Sequence, residues 1–277
     1  MPESAEVRQI TQNLSAGVTG KTIFRAEVLS GRYARSPISV LDKLRGFSIS
    51  AVACKGKLIF FQLKHTENAL MPKLYILSTL GMTGYWEELV PHQISPKHAR
   101  IKLALDTPNK NGPVHCSYFC FTDQRNFGTF RVVNRAGFTK KIEELGPDVA
   151  QHLEVPDGFM ERLERYGKNK TIAEVMLDQR VFCGVGNYMR ADAMYIAKVD
   201  PRTPALDVPR QFLGMLWTNA HVISNAAFDD RGVGNTNVHF YNLCYGRQQD
   251  DHGNPIERFE DRNGRTVWWC PARQQHK

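Results

Sequence analysis

Long apolar runs are absent. Nowhere do 18 or more apolar residues follow one another, so the sequence holds no candidate membrane-spanning helix. The first residues, MPESAEVRQI, are polar and acidic, with no basic patch leading into an apolar stretch, and a secretory leader is not expected. No internal repeat or low-complexity tract occurs, which sets aside repeat arrays and disordered chains. Cysteine is sparse: Cys54, Cys116, Cys120, Cys183, Cys244 and Cys270 show no framework spacing. That excludes a disulfide-stapled secreted scaffold and suits a reducing compartment, so an intracellular protein is expected, nuclear or cytoplasmic according to its source.

The composition is otherwise globular, with 42% hydrophobic and 23% charged residues in 277, enough for about two domains. Lys and Arg total 36 against 28 for Asp and Glu, a formal charge of +8. Such a balance favours encounter with a polyanion.

Along the chain, Val7, Ile10 and Leu14 recur at helical spacing over 5–18, with Ser4 available as N-cap and Gly20 as the stop. Short strands follow over 22–29, 47–54, 57–63, 74–80, 99–105, 116–121 and 128–133, β-branched or aromatic in character. Ile101, Leu103 and Leu105 alternate most clearly. A run of strands at this spacing predicts a β-sandwich or barrel. Near Leu145-Gly146-Pro147-Asp148 the pattern turns helical, over 159–166, 171–178, 188–197 and 208–227, and strand character returns over 241–274. A domain boundary close to residue 150 is expected.

Several constellations could carry chemistry. Removal of Met1, which the small Pro2 permits, would leave a free secondary amine. An α-amino group titrates at about 7.7–8.0, so part of it is neutral and nucleophilic near neutral pH. Attack on a sugar aldehyde carbon would give an iminium, with Glu3 shuttling protons and Glu6 a second carboxylate. Taken alone, a Pro-Glu start is equally an ordinary solvated terminus. Gly184-Val185-Gly186-Asn187 opens a helix, where backbone N–H groups can take a phosphate; a plain helix–turn–helix corner with Asn187 capping its own helix fits the same residues. No strand precedes these glycines, so they are not a dinucleotide fingerprint.

Met82, in Gly81-Met82-Thr83-Gly84, and Arg125 with Phe127, in Asp123–Gly128, fall between strands. Exposed side chains of these kinds suit a wedge that fills a gap in a base stack, although each loop is also readable as a turn with one core residue. Lys57 would start a strand within reach of a phosphate, or stand solvated at an edge. Asn263-Gly264 marks a hairpin turn with Arg265 near its tip. Cys244, His252, Cys270 and His276 are separated by seven, seventeen and five residues, without the close pairs of a zinc site.

In this order the pieces resemble the Fpg/Nei family of bifunctional DNA glycosylases over nearly the whole chain. The carriers are Pro2-Glu3 with Glu6, Lys57, Gly81–Gly84, Arg125 with Phe127-Gly128, Leu145-Gly146-Pro147, Leu177-Asp178-Gln179, Gly184–Asn187 and Tyr245-Gly246-Arg247. The resemblance implies an α+β protein. An N-terminal helix and β-sandwich catalytic domain (1–150) would precede a helix–two-turn–helix domain (151–277) with a terminal β-hairpin finger (about 241–275). DNA would lie between the domains.

It further implies Pro2 as nucleophile, Glu3 as proton donor to the sugar ring oxygen, Lys57, Asn187 and Arg265 as phosphate contacts, and Met82, Arg125 and Phe127 as void fillers. The four finger positions that carry cysteines in zinc-binding members look like Gln249, His252, Cys270 and Arg273. No metal and no cofactor is therefore expected, and the finger resembles the zincless one of the endonuclease VIII-like branch. At the start, Ser4-Ala5 replaces the usual residue-plus-proline pair. The implied activity is excision of oxidised bases, oxidised pyrimidines and hydantoins first, with β,δ-elimination through a Pro2 Schiff base. The partner would be damaged double-stranded DNA, single strands remaining open, bound by a monomer. An 8-oxoguanine glycosylase and a non-catalytic module that binds damaged DNA are the alternatives.

Overall fold

The computed structural model describes residues 2–35, 41–89, 93–107, 115–231 and 241–275. Two compact units emerge, one of Pro2 and the chain from Val7 to Ile142, the other of Glu3–Glu6 and the chain from Glu143 onward. Among the described residues no helix is long and apolar enough to cross a membrane.

Helix α1 (Ser4–Val18) starts one residue earlier than its spacing predicts. Ser4 is helical rather than the N-cap, and its hydroxyl shares a 2.6 Å hydrogen bond with that of Ser224. Val7, Leu14 and Val18 bury the stripe expected of the period, against the strands of the first unit. Those strands are β1 (Thr22–Val28), β2 (Phe47–Lys55), β3 (Leu58–His65), β4 (Leu74–Thr79), β5 (Gly84–Leu89), β6 (Ala99–Thr107), β7 (His115–Asp123) and β8 (Thr129–Asn134). They form one antiparallel ladder, β5-β7-β6-β1-β2-β3-β4-β8.

The ladder folds onto itself. Trp86 of β5 lies 5.3 Å from the Phe61 ring of β3 and 6.2 Å from the Phe130 ring of β8, and its indole N–H donates to Ser78 of β4 at 3.2 Å. Two layers with an apolar filling result, and Ile101, Leu103 and Leu105 are fully buried in it. Strand β5 and helix α2 (Arg135–Glu144) escape a periodicity reading for one reason. The strand buries only its end residues Gly84 and Leu89, and the helix buries none.

Register decides which loops share an edge. Lys55 pairs with Leu58, so Gly56 and Lys57 form the turn between β2 and β3, with Gly56 at φ +53°. Lys57 thus sits in a turn, one residue before the strand it was expected to start. Leu58 pairs with Thr79, and Thr79 with Thr129. These pairs bring Lys57, the loop after β4 and the loop before β8 to the same end of the sheet.

The second unit contains α3 (Phe159–Gly167), α4 (Ile172–Met176), α5 (Asn187–Ala197) and α6 (Arg210–Arg231) around the rings of Phe159, Phe182 and Trp217. Helix α4 opens on a capping box, with Thr171 accepting from the Glu174 backbone and Glu174 from that of Thr171. A hairpin of β9 (Glu257–Glu260) and β10 (Thr266–Trp269) closes the unit, and its Val267 is fully buried in the helical core.

Candidate active site and nucleic-acid interface

Two turns separate α4 from α5, and Asp178 and Gln179 shape them. Asp178 takes hydrogen bonds from Lys170 at 2.9 Å and from Arg180 at 2.6 and 2.8 Å. Burial alone would raise its carboxyl, but these donors outweigh it and hold the group well below the usual range. Gln179 donates to the Val185 carbonyl at 2.9 Å and accepts from the Gly184 N–H at 2.9 Å. The turn therefore delivers Gly186 as N-cap of α5 and Asn187 as its first residue. Asn187 does not cap its own helix.

Glu3 occupies that helix start. Its carboxylate accepts from the N–H groups of Gly186 (2.8 Å), Tyr188 (3.0 Å) and Met189 (3.3 Å), and the side chain is buried. The unpaired donors of a helix N-terminus, with their partial positive charge, are a natural seat for a carboxylate. Glu6 accepts from the Glu3 N–H at 2.9 Å and faces the Tyr188 hydroxyl at 3.4 Å. Burial, together with the Glu3 and Asp192 carboxylates, pushes the Tyr188 hydroxyl far up, so it remains a donor. Glu3, Glu6 and Asn187 are thus neighbours at one helix end, with Pro2 bonded directly to Glu3.

Arg265 reaches this neighbourhood through residues the sequence reading missed. Arg190, fully buried on α5, forms a 2.9 Å ion pair with Asp261 and donates to the Ala173 and Thr266 carbonyls at 3.2 and 2.7 Å and to the Asn187 side-chain oxygen. Asp261 also accepts from the backbone N–H groups of Asn263 and Arg265, each at 2.9 Å, and so folds the hairpin tip. Arg265 stands exposed there. Arg190 and Asp192 are the two charges in the otherwise apolar and aromatic stretch 188–197, and that was the available sequence signal for Arg190.

In the first unit Met82, Arg125 and Phe127 come together. The Arg125 guanidinium lies 3.2 Å from the Met82 sulfur and 4.9 Å from the Phe127 ring centre, and all three side chains are exposed. Asp123 is the buried anchor. It accepts from the Thr83 hydroxyl and the Gly128 N–H, each at 2.7 Å, and Thr83 in turn accepts from the Arg125 N–H at 3.1 Å. Arg100 donates to the Asp123 and Gln124 carbonyls at 2.9 and 3.3 Å. The two loops meet without side chains between them, since a Cβ on Gly81 would lie 2.6 Å from the Gly128 nitrogen. Asp123→Ala strands the buried Gly128 N–H and is expected to cost about 1–3 kcal/mol. Denaturant unfolding followed by far-UV dichroism measures it.

The base of the finger holds itself by hydrogen bonds. Asp250, nearly buried, accepts from the backbone of His252 (2.9 Å) and Asn254 (2.8 Å), and from the side chains of Tyr195 (2.9 Å) and Asn254 (3.0 Å). Burial opposes its charge, but the bonds from Asn254, Tyr195 and His252 hold the carboxyl well below the usual range. The Cys270 N–H donates to Gln274 at 2.7 Å, and Arg273 lies 5.0 Å from the Tyr195 ring. Asp192 fastens the preceding segment, accepting from the N–H groups of Leu243, Cys244 and Tyr245 at 3.0, 2.9 and 3.0 Å. Burial pushes the Cys270 and Cys244 thiols up, away from the thiolate a metal needs. These residues do not fit a zinc ion, and among the described residues no three His, Cys, Asp or Glu side chains group as ligands. His276 lies outside the described residues.

Known proteins resemble this chain in sequence and in fold. Residues 1–130 match the formamidopyrimidine-DNA glycosylase N-terminal domain, and residues 145–237 match its H2TH domain. A formamidopyrimidine-DNA glycosylase of Corynebacterium diphtheriae is 28% identical over 245 residues, covering 84% of this chain and 81% of the relative. The Lactococcus lactis Fpg bound to DNA containing an abasic site superposes with a TM-score of 0.78 at 18% identity, over 99% of each chain. The same enzyme with DNA containing an oxidised pyrimidine gives 0.79 at 20% identity, over 99% of this chain and 100% of that one.

Proposed function

The chain belongs to the formamidopyrimidine-DNA glycosylase family, and from that premise we propose that it excises oxidised bases from duplex DNA and then cuts the strand as an AP lyase. The observation that carries the reading is the seat of Glu3. Three backbone N–H groups at the start of α5 fix its carboxylate, one residue from Pro2 and beside Asn187. A proton-transfer group must be held in place to act, and this one is.

With Met1 removed, the Pro2 nitrogen attacks C1′ of the damaged nucleotide, and the base departs as an anion that takes a proton from water. The proton Pro2 sheds passes through Glu3 to the sugar ring oxygen, which opens the ring. Glu6 steadies Glu3 through its backbone N–H. The resulting iminium comes from a secondary amine and has no N–H to lose, so it keeps its positive charge. That charge acidifies the neighbouring sugar C–H bonds; β-elimination expels the 3′ phosphate and δ-elimination the 5′ phosphate. Flipping the base costs a few kcal/mol, least for a weakly paired lesion. Met82, Arg125 and Phe127 fill the space it leaves, and Lys57, Asn187 and Arg265 hold phosphates. On this reading residues 1–150 are the catalytic domain and 151–277 the helix–two-turn–helix domain with its finger.

Oxidised pyrimidines and hydantoins are the preferred lesions. A finger held by Asp250 rather than metal supports this, as in the zincless branch that the sequence resembles. Borohydride trapping of Met1-processed protein tests it, on duplexes carrying an abasic site, thymine glycol, a hydantoin, 8-oxoguanine opposite cytosine, or no damage. Covalent product on the abasic and pyrimidine substrates is expected. Dominant product on 8-oxoguanine overturns the lesion preference, and tight binding without product leaves a damage-binding module.

Arg265→Ala should weaken binding to every sequence and reduce the slope of log K against log salt by about 1. Fluorescence anisotropy from 50 to 200 mM salt measures both, and an unchanged slope would take Arg265 off the phosphates.

A further inference from the structure

We propose that Arg190 is a positioning residue for phosphate binding: it holds the Asn187 side-chain oxygen and leaves the Asn187 amide nitrogen as the group offered to DNA. The inference rests on the reading of Asn187 as a phosphate contact given above. An asparagine presents either an acceptor or two donors, depending on which way its amide lies, and a phosphate oxygen takes only donors. Arginine has no acceptor, so a bond from Arg190 to Asn187 admits one orientation alone. Among the described residues, the Asn187 amide nitrogen donates to no protein group.

The arrangement is more than local packing. Arg190 lies one turn after Asn187 on α5, where the two side chains share a face. Its other terminal N–H groups go to Asp261, Ala173 and Thr266, so the helix start and the hairpin that carries Arg265 are tied to one guanidinium. Its Nε remains buried without a partner. Well-packed apolar residues usually replace a buried ion pair without loss of stability, so stability alone does not call for this one.

The test uses the double variant R190M/D261N in the full chain. Removing both charges leaves no orphaned ion, and the introduced amide oxygen can still accept from the tip N–H groups. Side-chain 15N relaxation of Asn187 in Asn-labelled protein should fall from an order parameter near about 0.85 to below about 0.6. Affinity for a duplex with a tetrahydrofuran abasic analogue should drop by roughly 10- to 100-fold, the size expected for one hydrogen bond to a charged group, with an unchanged salt slope because no phosphate-facing cation is lost.

N187A should show the same drop, and the triple variant no further one. Arg190→Lys keeps the charge but not the planar fork, and should also free the amide; it serves if the double variant does not fold. An unchanged order parameter overturns the proposal, as do losses that add between the double variant and N187A. A mobile amide with full affinity in both the double variant and N187A instead removes Asn187 from the phosphates, while the positioning of its amide stands.

Discussion

Pro2→Gly protein, processed to a free N-terminus, is expected to bind an abasic-analogue duplex within about threefold of wild type yet lose covalent trapping by on the order of 10²-fold or more. Two physical effects combine. Proline fixes its own φ and holds its nitrogen in one direction, whereas glycine lets the amine swing away from the reacting carbon. A glycine amine is also primary, so its imine can shed the N–H proton, and the positive charge that drives elimination is lost. Binding survives because the groups assigned to the phosphates and the void lie elsewhere in the chain. Borohydride trapping and single-turnover strand cleavage measure the loss. Wild-type trapping by the variant would remove Pro2 as nucleophile and direct the search to another amine.

Gly186→Ala should reduce base excision by about 10²–10⁴-fold, the range for a misplaced proton-transfer group, and match Glu3→Gln in doing so. A Cβ at residue 186 would stand 2.1 Å from the Glu3 carboxyl carbon and 2.3 Å from Oε1, far inside contact distance. Glu3 would have to leave its three N–H donors. The backbone at Gly186 is extended, with φ −125° and ψ −159°, a conformation alanine adopts freely. Any effect therefore reports the displaced carboxylate and not a strained turn. Gly214→Ala in α6 is the control, since nothing lies within 4 Å of the added carbon and excision should not change. Single-turnover excision of thymine glycol compares the three variants. Normal excision by Gly186→Ala would count against Glu3 as the proton donor.

The spacing of Val7, Ile10 and Leu14 and the alternation of Ile101, Leu103 and Leu105 mark helix and strand in the sequence itself, because burial on one face imposes a period on it. Elements without a buried face left no such trace, as β5 and α2 illustrate. The seat of Glu3 is likewise invisible in sequence. Its three donors belong to the backbone of residues more than 180 positions away, and backbone N–H groups are the same in every residue type.

Periods and short spacings were thus enough to indicate most of the elements in their order and the residue types available for chemistry, and the motifs together carried a resemblance to the family that the comparisons bear out. Tertiary structure decided the rest: Met82 against Arg125 and Phe127, Glu3 on the start of α5, and the Arg190–Asp261 pair that joins the hairpin to Asn187. Such contacts form between segments remote in the chain, where strand register and helix packing, rather than neighbouring residues, determine which groups meet.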